Sequence, residues 1–217
     1  ADKIYNPLYE YLNYIPRLLK EKRNAKLAHQ DIDSLIEKKS LFFFFPLQMN
    51  NDYQLRENSP FKHQSEAITL AIETFANNAP QDSVLLFKIH PLDNGIEPWP
   101  KIISQLAKQF NLQGRLLFID GGYLDKAISH CAGVITTNST VGVQAFQKLV
   151  PVICLGDAMY DIKGITSQQT LGSFFQQPEQ PDPEMVDSFV RLIGPGIEIY
   201  GSFYSKTGRK LAIEQMG

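Results

Sequence analysis

Two turns carry side chains whose types and spacing suit the binding of an anion. An apolar run over residues 84–89, interrupted only by one lysine, ends at His90 and Pro91. A second run over 133–136 is followed by a polar turn at 138–140, and a helical pattern begins there. Where a strand passes into a helix in this way, backbone N–H groups and hydroxyls face outward, and α/β proteins use them to hold phosphate. The two turns therefore predict a site for a phosphate-bearing ligand.

Each of these turns also has an interpretation that needs no ligand. The imidazole of His90 could donate a hydrogen bond to a leaving phosphate or act as a general acid, or it could cap the strand end. Asn138, Ser139 and Thr140 match a glycosylation sequon, and Ser and Thr are also favoured at helix N-caps. The turns alone leave these alternatives open.

Two other apolar runs end in polar residues. Gln48 and Asp52 follow a phenylalanine-rich run, and a carboxylate there could be a nucleophile, a base or a turn aspartate. Tyr160 and Asp161 follow the run at 151–155, where either side chain could bond a ribose or a base. A loop-capping aspartate is the alternative for Asp161.

Composition excludes several classes of protein. The 217 residues are 43% hydrophobic and 20% charged with a net charge of −2, which gives no electrostatic reason to expect nucleic acid. Cys131 and Cys154 are isolated, so we expect buried thiols in a reducing, cytoplasmic compartment. There is no phosphate-loop or dinucleotide signature and no metal-spaced His/Cys cluster. We therefore predict neither a metal nor a cofactor.

The order of the sequence patterns predicts an α/β fold, a Rossmann-like parallel sheet with flanking helices. We expect an amino-terminal helical segment over residues 1–40, a Rossmann-like domain over 41–195 and a carboxyl-terminal tail over 196–217. The predicted strands lie at 41–45, 84–89, 116–119, 133–136 and 151–155. The predicted helices of the domain lie at 61–77, 99–110, 123–130, 140–148 and 183–193.

The amino-terminal segment has leucines at helical spacing followed by a basic run over residues 20–26. Pro16 is expected to kink or interrupt this helix, because proline removes a backbone donor. The basic run is typical of a solvated face, and contact with a membrane surface is the alternative.

Taken together, the turns resemble the bacterial capsule polysaccharide synthesis and export family, which includes retaining β-Kdo transferases. The resemblance covers roughly residues 41–166 and lies in five segments: Phe-Pro-Leu-Gln-Met-Asn-Asn-Asp at 45–52, Lys-Ile-His-Pro-Leu-Asp at 88–93, Thr-Asn-Ser-Thr-Val-Gly at 137–142, Pro-Val-Ile-Cys-Leu-Gly at 151–156 and Tyr-Asp-Ile-Lys-Gly at 160–164. It implies the donor-binding half of a two-domain GT-B glycosyltransferase, with CMP-Kdo as donor and a glycolipid or polysaccharide as acceptor. Peripheral association with the inner membrane would suit such an acceptor.

The resemblance also implies roles for particular residues. His90 would contact the CMP phosphate and help it to leave, and Ser139 and Thr140 would hold the same phosphate. Asp52 would be the nucleophile of a retaining double displacement, with Gln48 orienting the sugar. The predicted donor-binding set is completed by Pro91, Asn138 and Asp161.

Two departures from the family pattern keep other functions open. Gln144 stands where an acidic residue is expected after the Ser-Thr turn, and a complete GT-B enzyme needs two domains, usually over about 300 residues. The alternative is a non-catalytic component of polysaccharide assembly or export that retains the fold as a scaffold. A third hypothesis is an epimerase or hydrolase that acts on a nucleotide sugar.

Overall fold

The computed structural model describes residues 7–49, 55 and 57–193. In this part of the chain, five parallel strands form one sheet in the order β3-β2-β1-β4-β5. The strands are β1 (Phe42–Pro46), β2 (Val84–Lys88), β3 (Leu116–Ile119), β4 (Gly133–Thr136) and β5 (Val152–Cys154). The helices are α1 (Pro7–Glu37), α2 (Gln64–Asn78), α3 (Trp99–Gln109), α4 (Leu124–His130), α5 (Val141–Phe146), α6 (Leu171–Gln176) and α7 (Pro183–Ile193).

The sheet is buried on both faces, which confirms the predicted fold class. Alternate residues of a strand point to opposite faces, so Phe42 and Phe44 pack towards α1, α4, α5 and α7, whereas Phe43 and Phe45 pack towards α2, α3 and α6. All four phenylalanine side chains are at most 1% exposed. This two-sided burial explains why the first strand is an unbroken apolar run rather than an alternating one.

The strand order places a topological switch point between β1 and β4. From β1 the chain adds β2 and β3 on one side, then returns to add β4 and β5 on the other side. In open α/β sheets, ligands bind outside the carboxyl ends of the strands at such a point. The strand order therefore directs attention to the residues that follow β1 and β4.

Helix α1 is part of the same packed core as the sheet. Ala28 and Ile32 are each 1% exposed in the core, and α1 lies directly against Gly121. Gly121 has φ of +98°, and a Cβ there would come within 2.9 Å of the Ala25 Cα, so only glycine fits. The helix is continuous through Pro16, so the expected interruption is not present. Helix α6 was not predicted from the sequence.

Candidate functional site at the carboxyl edge of the sheet

The predicted site residues that the structure describes follow strands at one edge of the sheet. Gln48 follows β1, His90 follows β2, residues 138–140 follow β4 and Asp161 follows β5. The strand before His90 is β2 and the strand before residues 138–140 is β4. These two strands flank β1 on either side, each about 4.8 Å from it. Asp52, the predicted nucleophile, lies outside the described residues.

Gln48 and Asn138 bond each other across the switch point. The Gln48 Nε2 donates to the Asn138 Oδ1 at 2.9 Å, and the Asn138 backbone N–H donates to the Gln48 Oε1 at 3.3 Å. The two residues are only 4% and 9% exposed, so this exchange takes place in a buried environment. The backbone N–H of Gln48 is bonded in turn to the Oε1 of Gln64 at 3.2 Å. The paired side chains therefore link the segments that follow β1 and β4.

A loop segment at residues 58–59 covers the ends of β4 and β5. The carbonyl oxygen of Asn58 accepts from the Asn138 Nδ2 at 2.9 Å and from the Asp157 N–H at 2.8 Å. A Cβ on Gly156 would lie 2.7 Å from the Ser59 Cβ, so glycine allows this close approach. Sequence analysis missed the role of Asn58, because its partners are distant in the chain.

The turn after β4 differs from the expected phosphate cradle. The Ser139 N–H donates to the Thr136 Oγ1 at 3.0 Å, the Val141 N–H to the Ser139 Oγ at 3.2 Å and the Gly142 N–H to the Ser139 carbonyl at 2.9 Å. The expectation of outward-facing N–H groups is therefore wrong at these positions. Thr140 is exposed, and its side chain makes no capping hydrogen bond.

Tyr160 contacts the turn after β4 from inside the protein and does not line a ligand surface. Its ring is 3% exposed and packs on Phe146 at a centroid distance of 5.6 Å, and its hydroxyl donates to the Ser139 carbonyl. Burial raises the pKa of the phenol well above its ordinary value, so the hydroxyl stays protonated as a donor. The predicted contact of Tyr160 with a ribose or base is therefore wrong.

His90 is held in one tautomer by its own turn. The Leu92 N–H donates to the imidazole Nδ1 at 3.1 Å. Because Nδ1 is an acceptor here, the neutral ring carries its proton on Nε2. The neutral ring of His90 therefore has its N–H at Nε2, on a residue that follows β2 at the carboxyl edge of the sheet. The alternative of a backbone-bonded histidine therefore also holds.

A partly buried arginine from α1 fixes the His90 turn. Arg17 pairs with the Asp120 carboxylate through two bonds, of 2.8 and 3.2 Å, and donates to the carbonyl oxygens of His90 at 2.9 Å, Pro91 at 3.3 Å and Asp93. These contacts use all five N–H groups that a guanidinium carries. Sequence analysis missed this clamp, because Arg17 lies 73 positions before His90 and resembles any helix-surface arginine.

Asp120 and Lys88 form a charged cluster with Arg17 next to the His90 turn. Burial alone would raise the pKa of Asp120, but the hydrogen bond and charge of Arg17, with Asn24 and Lys88, hold it below its ordinary value. Burial lowers the pKa of Lys88. The visible signal of this cluster in the sequence is a lysine inside an apolar strand.

Asp161 is bonded within its own loop. Its Oδ1 accepts from the Thr166 hydroxyl at 2.6 Å and from the Gln168 amide at 2.9 Å. These contacts correspond to the loop-capping alternative, and a donor contact of the exposed Asp161 stays a prediction. Burial raises the pKa of the Cys131 and Cys154 thiols to about 12, so neither is a thiolate at neutral pH.

Residues 7–49, 55 and 57–193 contain no group of three or more His, Cys, Asp or Glu side chains that could hold a metal ion. Within the same described ranges, no helix is long and apolar enough to cross a membrane.

Similarity to known proteins identifies the family of this chain. The family described as "Capsule polysaccharide biosynthesis protein" matches residues 1–204. The chain belongs to this capsule polysaccharide biosynthesis family. The family prediction is thereby confirmed.

The chain is also similar to two capsule polysaccharide proteins. It is 35% identical over 166 residues to the capsule polysaccharide modification protein LipB of Neisseria meningitidis, which is 76% of this chain and 40% of LipB. It is 32% identical over 148 residues to the capsule polysaccharide export protein KpsS of Escherichia coli, which is 68% of this chain and 38% of KpsS. The chain thus spans about 40% of the length of the relatives it matches.

Among solved structures, the chain is similar to KpsC, a β-Kdo 2,7-transferase of Thermosulfurimonas dismutans. The identity is 19%, the TM-score is 0.42, and the match covers 82% of this chain and 67% of KpsC.

Proposed function

We propose that this chain is the donor-binding part of a glycosyltransferase of capsule polysaccharide biosynthesis that uses CMP-Kdo. The observation that carries the proposal is the tautomer of His90, whose Nδ1 accepts from Leu92 so that Nε2 holds the proton. An Nε2–H donor at the carboxyl edge suits the phosphate of a nucleotide that leaves with negative charge. Family membership supplies the polysaccharide context.

The proposed mechanism needs no metal. A CMP donor carries one phosphate, whose charge His90, Ser139 and Thr140 would offset by hydrogen bonds. Asp52 would attack the anomeric carbon and form a glycosyl-enzyme intermediate, which the acceptor hydroxyl then displaces with net retention. Gln48 would orient the sugar, although its side chain already bonds Asn138.

The acceptor in this proposal is a glycolipid or growing polysaccharide. Helix α1 exposes Lys20, Lys22, Arg23 and Lys26, a face that could lie on an anionic surface. We place the reaction in the cytoplasm, peripheral to the inner membrane, where such acceptors are built.

Product analysis tests this function. The protein is incubated with CMP-Kdo and a capsule glycolipid acceptor, and the anomeric configuration of any product is read by NMR. The proposal predicts a β-linked product, which Asp52→Asn abolishes and which is absent from mock reactions. Release of free sugar or a changed sugar isomer without transfer would contradict it and favour a hydrolase or an epimerase.

One observation favours a second candidate, a non-catalytic component of polysaccharide assembly or export. The Gln48–Asn138 exchange and the internally bonded turn after β4 use polar groups that a donor site would otherwise offer. Such a site works as a rigid scaffold without a ligand. An intact fold that binds no nucleotide would support this candidate.

A further inference from the structure

Lys88 is a buried cation that has no direct counterion among the described residues. It is 6% exposed at the end of β2, and its flanking positions in the sheet are Pro46 and Ile119. Within the described residues, no carboxylate lies within 4.0 Å of its ammonium and no hydrogen bond to it is formed. Only the charges of Asp120 and Arg17 act on it at longer range.

The neighbouring carboxylate is already committed to another cation. Both oxygens of Asp120 bond the Arg17 guanidinium, and Asn24 donates to one of them at 3.0 Å. Arg17, Lys88 and Asp120 therefore carry a net charge of about +1 in a largely buried cluster. Keeping a charge in such surroundings without a direct partner costs free energy.

We propose that Lys88 forms the cationic end of a subsite for an oxyanion of the sugar-nucleotide donor, either its phosphate or its sugar carboxylate. The inference rests on the proposed function and adds a ligand contact to it. An anion bound there would neutralise the excess charge of the cluster.

The position of Lys88 supports this role. It is the last residue of β2 and precedes His90 by two residues, a Cα separation of about 6.6 Å where the chain is extended. An ammonium on a long stem and an imidazole N–H at that separation can contact two oxygens of one anionic group. Arg17 cannot serve as this ligand, because its five N–H groups are occupied.

Replacement of Lys88 by methionine tests the subsite. Methionine removes a desolvated charge and keeps an unbranched apolar stem, so the variant should be at least as stable as the unchanged protein. Lys101→Met, at an exposed position on α3, is the matched control. The affinities of all three proteins for inorganic phosphate, CMP, cytidine and free Kdo are measured by calorimetry.

We expect Lys88→Met to weaken binding of an anionic probe at least about 10-fold, the scale of one charged hydrogen bond, and to leave cytidine unchanged. If Lys88→Met weakens the binding of CMP and inorganic phosphate alone, the oxyanion at the subsite is the donor phosphate. If it weakens the binding of Kdo alone, the oxyanion is the sugar carboxylate. CMP affinity and Kdo affinity equal to those of the unchanged protein would overturn the subsite and leave the proposed function standing. Lys88-dependent binding of phosphate without any affinity for CMP would sustain the subsite and contradict the proposed function. Absence of any anion binding would overturn both.

Discussion

Gln48 and Asn138 exchange two hydrogen bonds across the point where the strand order of the sheet reverses. One residue follows β1 and the other follows β4, so the pair joins the two halves of the sheet above its carboxyl edge. Both partners are buried, and loss of either would leave polar groups without water to replace them. The exchange therefore fixes the relative position of the loops that would contact a donor.

Replacement of Gln48 by alanine should destabilise the protein by about 1–3 kcal/mol, because it orphans buried groups of Asn138. Urea unfolding measures this difference. Gln144→Ala, the same substitution at an exposed position of α5, is the control and should change stability by less than about 0.5 kcal/mol. Equal effects at the two positions would show that the pair contributes nothing to the free energy of unfolding.

His90 should show the Nε2-protonated tautomer in solution, because the Leu92 N–H occupies Nδ1. Nitrogen-15 correlation spectra of the imidazole distinguish the two tautomers directly. His63, which is exposed at the start of α2, provides an internal comparison. A neutral ring protonated on Nδ1 would contradict the proposed phosphate contact.

Asp120→Asn should destabilise the protein by about 2–3 kcal/mol at neutral pH, since it breaks a charged pair with Arg17. The pKa of Asp120 is lower in the folded than in the unfolded protein, so its stabilising effect is present above the ordinary value of 3.8 and lost as the pH falls below it. Denaturant unfolding at several pH values checks both parts. A difference between the two proteins that stays constant as the pH falls below 3.8 would contradict the assignment.

The elements of the sheet could be predicted from the sequence because their signals are local. The strand over Leu116–Ile119 and the helix over Pro183–Ile193 begin and end where the apolar pattern predicts. The bonds of the site could not be predicted, because they join distant positions. Arg17 reaches Asp120 across 103 positions and Gln48 reaches Asn138 across 90, and no local pattern contains these pairings.

Gly142→Ala should destabilise the protein by about 1–3 kcal/mol through overpacking. A Cβ at Gly142 would lie 2.5 Å from the Tyr160 hydroxyl oxygen and 2.8 Å from two ring carbons, and the buried ring has little room to move. Thermal unfolding measures the change. Gly114→Ala is a useful comparison: its Cβ would meet nothing within 4 Å, although a φ of +82° makes alanine strained there. A smaller loss at Gly142 than at Gly114 would contradict the packing argument.

Calorimetric titration of the protein with CMP, and with UMP as control, tests the central claim most directly. We expect CMP to bind more tightly than UMP. His90→Ala and Ser139→Ala should each weaken CMP binding at least about 10-fold, the cost of one lost hydrogen bond to a charged group. Circular dichroism establishes that each variant is folded. Absence of binding to either nucleotide by the folded protein would contradict the donor-site account and leave the scaffold hypothesis in its place.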